Sequence, residues 1–311
     1  MEFFKSKTNF PFMATRKIWY AVSAALILGS IGLLVFRGLN YAVDFTGGVT
    51  AEVSFPGRAD LEGMRVGLEA AGFKDVQVQN FGSSRDMLVR LPPDATQSAG
   101  EIRTAIQKVV AGVDAKATLQ RVEIVGPQIG AELRTSSFQA LAFTVFFIFI
   151  YVALRFHTLR LSVGAILAAL HDPIIVLGFF SLTQMTFDLA VVAAILAVIG
   201  YSLNDTVVVF DRIRERFLVN RRSPPSEVLD ESVNSTLSRT IMTSVTTLIV
   251  VAVLYLMGGA ALHGFSAAII VGVIVGTYSS IYIAGAIALD LGLKAEHLFP
   301  SETRKKIDDL P

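Results

Sequence analysis

The feature that most constrains this chain is a set of six long apolar stretches that carry almost no charge. They cover residues 18–36, 137–154, 161–181, 188–210, 241–257 and 265–287. Residues 137–210 hold five charged side chains, and residues 241–290 hold one, Asp290. A helix needs about 20 apolar residues to cross the hydrocarbon core of a bilayer. The sequence therefore predicts a polytopic α-helical membrane protein with six transmembrane helices.

One polar segment, residues 37–136, separates the first two spans and carries 23 charged residues, 11 basic and 12 acidic. Its apolar periodicity predicts strands at 49–55, about 75–80, about 86–91 and 118–125, and helices at 61–71 and about 97–111. The order βαββαβ is that of a ferredoxin-like α+β sandwich. The segment has neither His nor Cys, so we interpret it as a binding or docking domain without catalytic chemistry.

The Lys and Arg residues between the spans are unevenly distributed, and their distribution predicts the orientation of the chain. They occur in the N-terminal segment 1–17, at Arg155 and Arg160, in a predicted cytoplasmic loop 211–240 and in the tail 291–311, but not in 182–187 or 258–264. Because positively charged short loops remain in the cytoplasm, both termini are predicted to be cytoplasmic and residues 37–136 to face outward. No small-residue cleavage site follows the first span, which is therefore interpreted as an uncleaved anchor.

Asp205 is the most informative polar residue within the spans. A charged group there costs about 2.5–3.5 kcal/mol on the insertion scale, so an ionisable residue in a span indicates function. Helical spacing places Tyr201, Asp205 and Arg212 on one stripe, with Asp205 about one turn inside the cytoplasmic boundary. Asp205 is interpreted as a proton or ion site. The alternative is that it pairs with Arg212 or bonds to a neighbouring helix.

Two further polar positions leave their alternatives open. Arg239, at the start of the fifth predicted span, either completes the site of Asp205 or extends to the membrane interface. His171-Asp172-Pro173 lies near the middle of the third span, where the proline kinks the helix. The His171–Asp172 pair either carries protons or forms a structural bond at the kink.

Composition and motifs exclude several classes of chemistry. The chain has no cysteine, which excludes disulfides, thiol nucleophiles and cysteine metal sites. The sequence has no phosphate-binding loop, nucleophile elbow or zinc motif, and its net charge of +1 indicates no nucleic-acid surface. We therefore expect no enzymatic activity, no cofactor, no metal and no nucleic-acid partner. The energy for any work must come from a gradient or a partner.

Four segments of the sequence resemble one known family. Asp44-Phe45-Thr46-Gly47-Gly48 resembles its Gly-hydrophobic-Asp-Phe-x-Gly-Gly signature, with Ala42 where glycine is usual, and Val125–Gly130 resembles its Val-Gly-Pro-x-x-Gly element. The run from Gly200 to Arg214 is the most specific, and Arg239–Thr247 matches the start of the fifth span. The family is the SecD/SecF family of bacterial protein-export membrane proteins, itself similar to the resistance-nodulation-division (RND) transporters. The resemblance is to the branch that pairs with SecD.

The resemblance implies a subunit without enzymatic activity in the bacterial cytoplasmic (inner) membrane. It implies that the chain acts with SecD, the SecYEG channel and its accessory subunit YajC on unfolded exported polypeptides. The proton-motive force would drive late steps of translocation, with the family's proton-relay carboxylate at Asp205 and its essential arginine at Arg239. Asp172 is a further candidate relay group. The motif residues implied are Asp44, Phe45, Gly47, Gly48, Gly126, Pro127, Gly200, Tyr201, Asn204, Asp211 and Arg212.

Two other function classes can be compared with this interpretation. An RND-type small-molecule/proton antiporter usually has 12 spans and two exported domains in one chain, so this chain would be half of one. An intramembrane aspartyl protease would need Asp172 and Asp205 together with a Gly-x-Gly-Asp motif, which is missing because Asp205 follows Leu203-Asn204. A neighbouring reading frame that encodes another six-span chain with its own intramembrane aspartate would favour protein export.

Overall fold

The computed structural model describes residues 8–93, 98–156 and 158–298. Parts of the predicted terminal segments 1–17 and 291–311 lie outside the described residues, including Lys5, Lys7, Arg304, Lys305 and Lys306. The first span is helix α1, Arg16–Phe36, which a short 3-10 turn at Met13–Thr15 precedes. A two-residue strand β1, Asn40–Tyr41, and a one-turn helix α2, Val43–Thr46, follow it.

The polar segment folds into a four-stranded sheet with two helices. Its elements are β2 Gly48–Ser54, α3 Leu61–Ala70, β3 Gln77–Phe81, β4 Ser83–Leu91, α4 Ala99–Val113 and β5 Thr118–Val125. This is the predicted order of strands and helices. The sheet order is β3-β4-β2-β5 with antiparallel neighbours. Alternate residues of β2, such as Ala51 and Val53, pack against Leu68 of α3 and Ile106 of α4, because successive side chains of a strand face opposite sides.

Five further helices complete the chain. They are α5 Pro127–Phe156, α6 Leu159–Thr183, α7 Leu189–Val219, α8 Pro225–Met257 and α9 His263–Tyr282, which α10 Ala284–Asp290 extends after a break at Ile283. Strand β6, Thr186–Phe187, between α6 and α7, pairs in parallel with β1. In the described part of the chain, six helical segments are long and apolar enough to cross a membrane. Each of the six predicted apolar stretches therefore corresponds to such a helix.

The predicted cytoplasmic loop 211–240 is wrong. Helix α7 continues to Val219 and helix α8 begins at Pro225, so only residues 220–224 connect them. The helices extend past the apolar stretches because Ile213, Phe217, Val228 and Val233 still bury one face in the core. Helix α5 likewise begins ten residues before the predicted 137, at Pro127. The length of an apolar run predicts where a membrane is crossed, but it does not predict where a helix ends.

Helices α6, α7 and α9 form the centre of the bundle, whereas α1, α5 and α8 are largely exposed along their apolar lengths. Helix α9 packs very closely on α7. A Cβ atom at Gly272 would overlap the side chain of Val198, and one at Gly276 would lie 2.8 Å from Cβ of Ser202. These glycines therefore bring two helices of the same chain together. This packing places the polar groups of α7 and α9 in contact.

Candidate functional site

Asp205 lies in the interior of α7 with its side chain buried, at 2% exposure. Its Oδ2 atom is fully buried and has no hydrogen-bond partner among the described residues. The next residue, Thr206, is satisfied instead, because its hydroxyl bonds to that of Ser280 on α9 at 2.9 Å. A buried carboxylate oxygen without a donor is costly. Binding of a proton, or the approach of a cation from outside the chain, would remove that cost.

Arg239 lies on α8, which packs against α7, and its charge is close enough to act electrostatically on Asp205. No ion pair within 4.0 Å joins the two side chains in the described structure, and Arg239 is exposed at the surface of the isolated chain. Arg239 also lies well inside α8, which spans Pro225–Met257, and not at the start of a helix. The two predicted relay groups are therefore neighbours that do not form a direct bond in this structure.

The alternative pairing of Asp205 with Arg212 is wrong, because Arg212 has other partners. It donates to Ser235 Oγ on α8 at 3.1 Å and pairs with Glu215 at 2.7 Å. The adjacent Asp211 accepts hydrogen bonds from Arg155 at 2.6 and 2.7 Å. Asp211 and Arg212 therefore tie α7 to α5 and α8.

The other motif residues of α7 lie on two faces. Tyr201, one turn from Asp205, donates to Ser244 Oγ on α8 at 3.3 Å, and Ser244 bonds to Thr277 on α9 at 2.6 Å. Gly200 and Asn204 are exposed on the surface of α7, and a Cβ atom at Gly200 would meet open space. Contacts within this chain therefore do not require a glycine at position 200.

A second buried polar cluster surrounds His171 and Asp172 of α6, which are 3% and 0% exposed. His171 Nδ1 lies 2.8 Å from Asp172 Oδ1, and Nε2 lies 3.1 Å from Ser23 Oγ on α1. Asp172 Oδ2 accepts hydrogen bonds from Ser202 on α7 and from Ser279 on α9, the latter at 3.1 Å. In contrast to Asp205, both oxygens of Asp172 are satisfied.

Sequence reasoning identified the His171–Asp172 pair but missed its partners Ser23, Ser202, Tyr278 and Ser279. Small hydroxyl residues are common in membrane helices because they can bond to their own backbone. A serine in a span therefore carries little information until its helix is placed beside another. The sequence therefore carried no specific signal for these partners.

The two glycine-containing signatures lie in contact, although they are far apart in the sequence. Gly47 has φ +71°, and a Cβ atom there would lie 2.9 Å from Cα of Pro127, the first residue of α5. Gly130, also on α5, packs against the backbone of Gly47, and a Cβ atom at Gly130 would lie 2.7 Å from the nitrogen of Gly47. Gly126 has no such constraint, since a Cβ atom there would meet nothing. The signatures thus form one joint between the sheet domain and the bundle.

Asp44 and Phe45 extend this joint to α7. Asp44 Oδ2 accepts a hydrogen bond from the backbone N–H of Leu189 at 3.1 Å, and Asp188 caps the same helix through Val191 N at 2.8 Å. Carboxylates are favourable at a helix N-terminus, where backbone N–H groups are unpaired. Phe45 is buried with its ring 5.8 Å from that of Phe187. Ala42 has extended backbone, φ −71°, so this position does not require glycine.

Arg90 of β4 makes a second link between the sheet domain and the bundle. Its guanidinium donates to Asn40 Oδ1 at 3.1 Å and to Thr186 Oγ1, and these two residues belong to the paired strands β1 and β6. Burial lowers the pKa of Arg90, and the charge of Asp188 opposes that shift. The sheet domain is thereby anchored to the ends of α1, α6 and α7. Among the described residues, no group of three or more His, Cys, Asp or Glu side chains could hold a metal ion.

Comparisons with known proteins place this arrangement among protein-export proteins. A family model described as "Protein export membrane protein SecD/SecF, C-terminal" matches residues 105–294, and one described as "SecD/SecF GG Motif" matches residues 32–55. The protein translocase subunit SecF of Vibrio alginolyticus is 45% identical over 99% of this chain and 98% of the relative. That of Pseudomonas aeruginosa is 45% identical over 96% of this chain and 97% of the relative.

Solved structures of SecDF are also similar. The crystal structure of SecDF from Thermus thermophilus, a translocon-associated membrane protein, has a TM-score of 0.84 and 38% identity, and covers 93% of this chain. A SecDF structure in a super-membrane-facing form has a TM-score of 0.69 and 35% identity over 98% of this chain. The present chain spans 39% and 40% of those chains.

Proposed function

The chain belongs to the SecD/SecF family of protein-export membrane proteins, and from this premise we propose that it is a protein translocase subunit that acts with SecD. Its substrates would be unfolded exported polypeptides at the SecYEG channel, with YajC as the accessory subunit, in the bacterial cytoplasmic membrane. The proton-motive force would drive late steps of translocation. The relatives bear the name of a translocase subunit and not of an enzyme.

The observation that carries this proposal is the buried Oδ2 atom of Asp205, which has no hydrogen-bond partner among the described residues. A proton on Asp205 would remove a charge from the membrane interior, whereas the nearby positive charge of Arg239 would favour the ionised form. These effects oppose each other. A small movement of Arg239 relative to α7 would therefore cause Asp205 to bind or release a proton.

SecD is the proposed occupant of the surface around this site. Gly200 and Asn204 of α7 and Arg239 of α8 are exposed on the isolated chain, although polar groups in a membrane normally face protein or water. The similar SecDF chains are more than twice as long as this one. Their additional part would cover this surface and supply the remaining groups of the proton site.

The joint at Asp44 provides a mechanical route from this site to the sheet domain. Asp205 and the N-terminus that Asp44 caps belong to the same continuous helix, α7. A proton-driven shift of α7 would therefore move the sheet domain, which we assign to the outer side as the ferredoxin-like domain that contacts exported polypeptide. One charge crossing the membrane contributes about 2.3 kcal/mol per 100 mV, so at 100 mV it can bias a two-state movement by up to about fifty-fold.

A depletion experiment tests the proposed function. Cells depleted of their own copy should accumulate unprocessed secreted precursor, and expression of this chain together with SecD should restore processing several-fold. An uncoupler should abolish the restored part, because the gradient supplies the energy. The control is the amount of precursor synthesised, which should not depend on the chain. Restoration that persists without the gradient would contradict the proton-coupled mechanism.

The proposed orientation makes a separate prediction about labelling. Since the chain has no cysteine, single cysteines can be introduced at Ser84 in the sheet domain and at Ser223 between α7 and α8. A membrane-impermeant maleimide added to intact spheroplasts should label Ser84→Cys and not Ser223→Cys. Both should react after permeabilisation, which controls for accessibility. The reverse pattern would overturn the orientation.

The RND-type small-molecule antiporter remains the alternative function, but no specific observation favours it. The relatives that match this chain over nearly its full length are named as translocase subunits.

A further inference from the structure

The buried cluster around His171 and Asp172 contains a chain of hydrogen bonds in which the protons can be counted. The chain runs from the carbonyl of Trp19 to the hydroxyl of Tyr278 at 2.9 Å, then to Ser23 Oγ at 2.8 Å and to His171 Nε2 at 3.1 Å. It ends at the contact of 2.8 Å between His171 Nδ1 and Asp172 Oδ1. It connects α1, α9 and α6.

The carbonyl end sets the direction of every bond. The carbonyl of Trp19 can only accept, so Tyr278 donates its single proton there. Ser23 must then donate its proton to the oxygen of Tyr278, and it has no second proton for the imidazole. The contact between Ser23 and His171 therefore requires a proton on Nε2.

The contact at the other ring nitrogen requires a second proton. Either His171 is an imidazolium that donates from Nδ1 to an ionised Asp172, or Asp172 carries the proton and donates to Nδ1. The two arrangements differ only in the position of one proton on the same bond, and in both the pair is neutral. The pair thus holds one proton more than a neutral histidine beside an ionised aspartate. Neutrality is also what a membrane interior favours.

We propose that His171 and Asp172 form a second proton-binding site, distinct from Asp205, whose single dissociable proton holds α1 against α9. When that proton passes to water, Nδ1 keeps its proton for Asp172 and Nε2 becomes an acceptor. The hydroxyl of Ser23 then donates to Nε2 of His171. No proton remains between the oxygens of Ser23 and Tyr278, so the hydrogen bond that joins α1 to α9 there is lost. The net charge of the pair changes from zero to −1, and no other bond is made or broken.

None of the charged groups described on the surrounding helices forms an ion pair with His171 or Asp172, so none takes the place of this proton. Tyr278 on α9, with its ring 5.9 Å from that of His171, is the ionisable neighbour within the chain of bonds. Asp290 on α10 pairs with Arg16 on α1, and Arg155 on α5 pairs with Asp211 on α7. Helix α7 contributes Ser202 to Asp172, with Asp205 nearly one turn further along. The proposal does not rest on export activity or on Asp205.

Nitrogen NMR of the full-length chain in lipid nanodiscs tests the protonation directly. The sequence contains four histidines, so ¹⁵N-histidine labelling gives few signals, and His171→Gln assigns the relevant one. We expect Nε2 of His171 to carry a proton and to lose it in one step as the pH rises. A wild-type signal with a bare Nε2 over the whole pH range in which the chain stays folded would overturn the proposal.

Tyr278→Phe removes the hydroxyl group that determines the direction of the hydrogen bond between Ser23 and His171. Ser23 can then donate to Nε2, so we expect Nε2 to lose its proton at a lower pH than in the wild type. The matched control is Tyr282→Phe, one turn further along α9. The hydroxyl of Tyr282 makes no hydrogen bond to a described residue. An equal pH dependence in wild type and Tyr278→Phe would show that the hydrogen-bond chain does not hold the proton.

A distance measurement tests the link between the helices. Spin labels on cysteines introduced at Ile31 of α1 and Ile274 of α9, both exposed, should report a change in separation at the pH where Nε2 loses its proton. The change should be absent in Tyr278→Phe. A separation that stays constant while Nε2 titrates would overturn the role of the proton in holding α1 against α9.

Discussion

Asp205→Asn should abolish the gradient-dependent part of export while leaving the chain inserted in the membrane and bound to SecD. Asparagine keeps the size of the side chain but cannot ionise, so the buried site can no longer exchange a proton. Because the buried Oδ2 atom makes no hydrogen bond to a described residue, the substitution removes no visible contact. The measurement is the rate of precursor processing with and without an uncoupler, alongside the amount of chain recovered in the membrane.

The control for this prediction is Glu215→Gln, which removes a carboxylate from the same helix at an exposed position paired with Arg212. It should leave gradient-dependent export unchanged. Arg239→Lys should retain part of the activity if positive charge alone is required, and should lose it if the guanidinium is needed. Export by Asp205→Asn at the wild-type rate under a full gradient would make Asp205 structural. Asp172 would then be the carboxylate to test for coupling.

Gly48→Ala should destabilise the sheet domain at the start of β2 by more than about 2 kcal/mol. Gly48 has φ +121°, which a side chain tolerates poorly, and a Cβ atom there would overlap the carbonyl oxygen of Leu91 on the adjacent strand. Thermal unfolding of the full-length chain in nanodiscs and protease sensitivity of the sheet domain measure the effect.

Gly57→Ala is the matched control for the glycine prediction. Gly57 lies in the same domain, has no positive φ, and a Cβ atom there would meet nothing within 4 Å. It should unfold at the wild-type temperature. If Gly48→Ala were as stable as Gly57→Ala, the close approach of Gly48 to Leu91 would not determine the stability of the sheet domain.

The parts of the fold that depend on local pattern could be predicted. The alternating apolar residues of β2 and the helical periodicity of α3 and α4 predicted the order of elements that the structure has. Strand β5 has the predicted bounds, 118–125. Apolar length predicted six spans because the cost of exposing a polar backbone to lipid depends on each segment alone. The helix ends between α7 and α8 were not predicted, because amphipathic turns such as those at Phe217 and Val228 require a packing partner to form.

The candidate site shows the same division. A carboxylate in an apolar stretch is unusual in any fold, so the sequence alone made Asp205 the leading candidate for a functional residue. Its lack of a bonding partner, the separation from Arg239 and the competing partners of Arg212 depend on how α7 and α8 are turned toward each other. One residue more or less in a helix rotates a side chain by about 100°, so spacing in the sequence does not determine such contacts.

By itself, the sequence determined that this chain has six segments long and apolar enough to cross a membrane, that a βαββαβ segment follows the first of them, and that Asp205 is a carboxylate within such a segment. These conclusions hold because hydrophobic length, alternation and the cost of a buried charge are properties of a segment or a single residue. Only the tertiary structure decided that the two glycine signatures form one joint, that Asp44 caps the helix of Asp205, and that Ser23 and Tyr278 complete the chain of bonds from His171. Each of these contacts joins residues more than 70 positions apart in the sequence. Such contacts exist only after the helices pack, because packing alone brings their hydrogen-bonding groups within about 3 Å of each other.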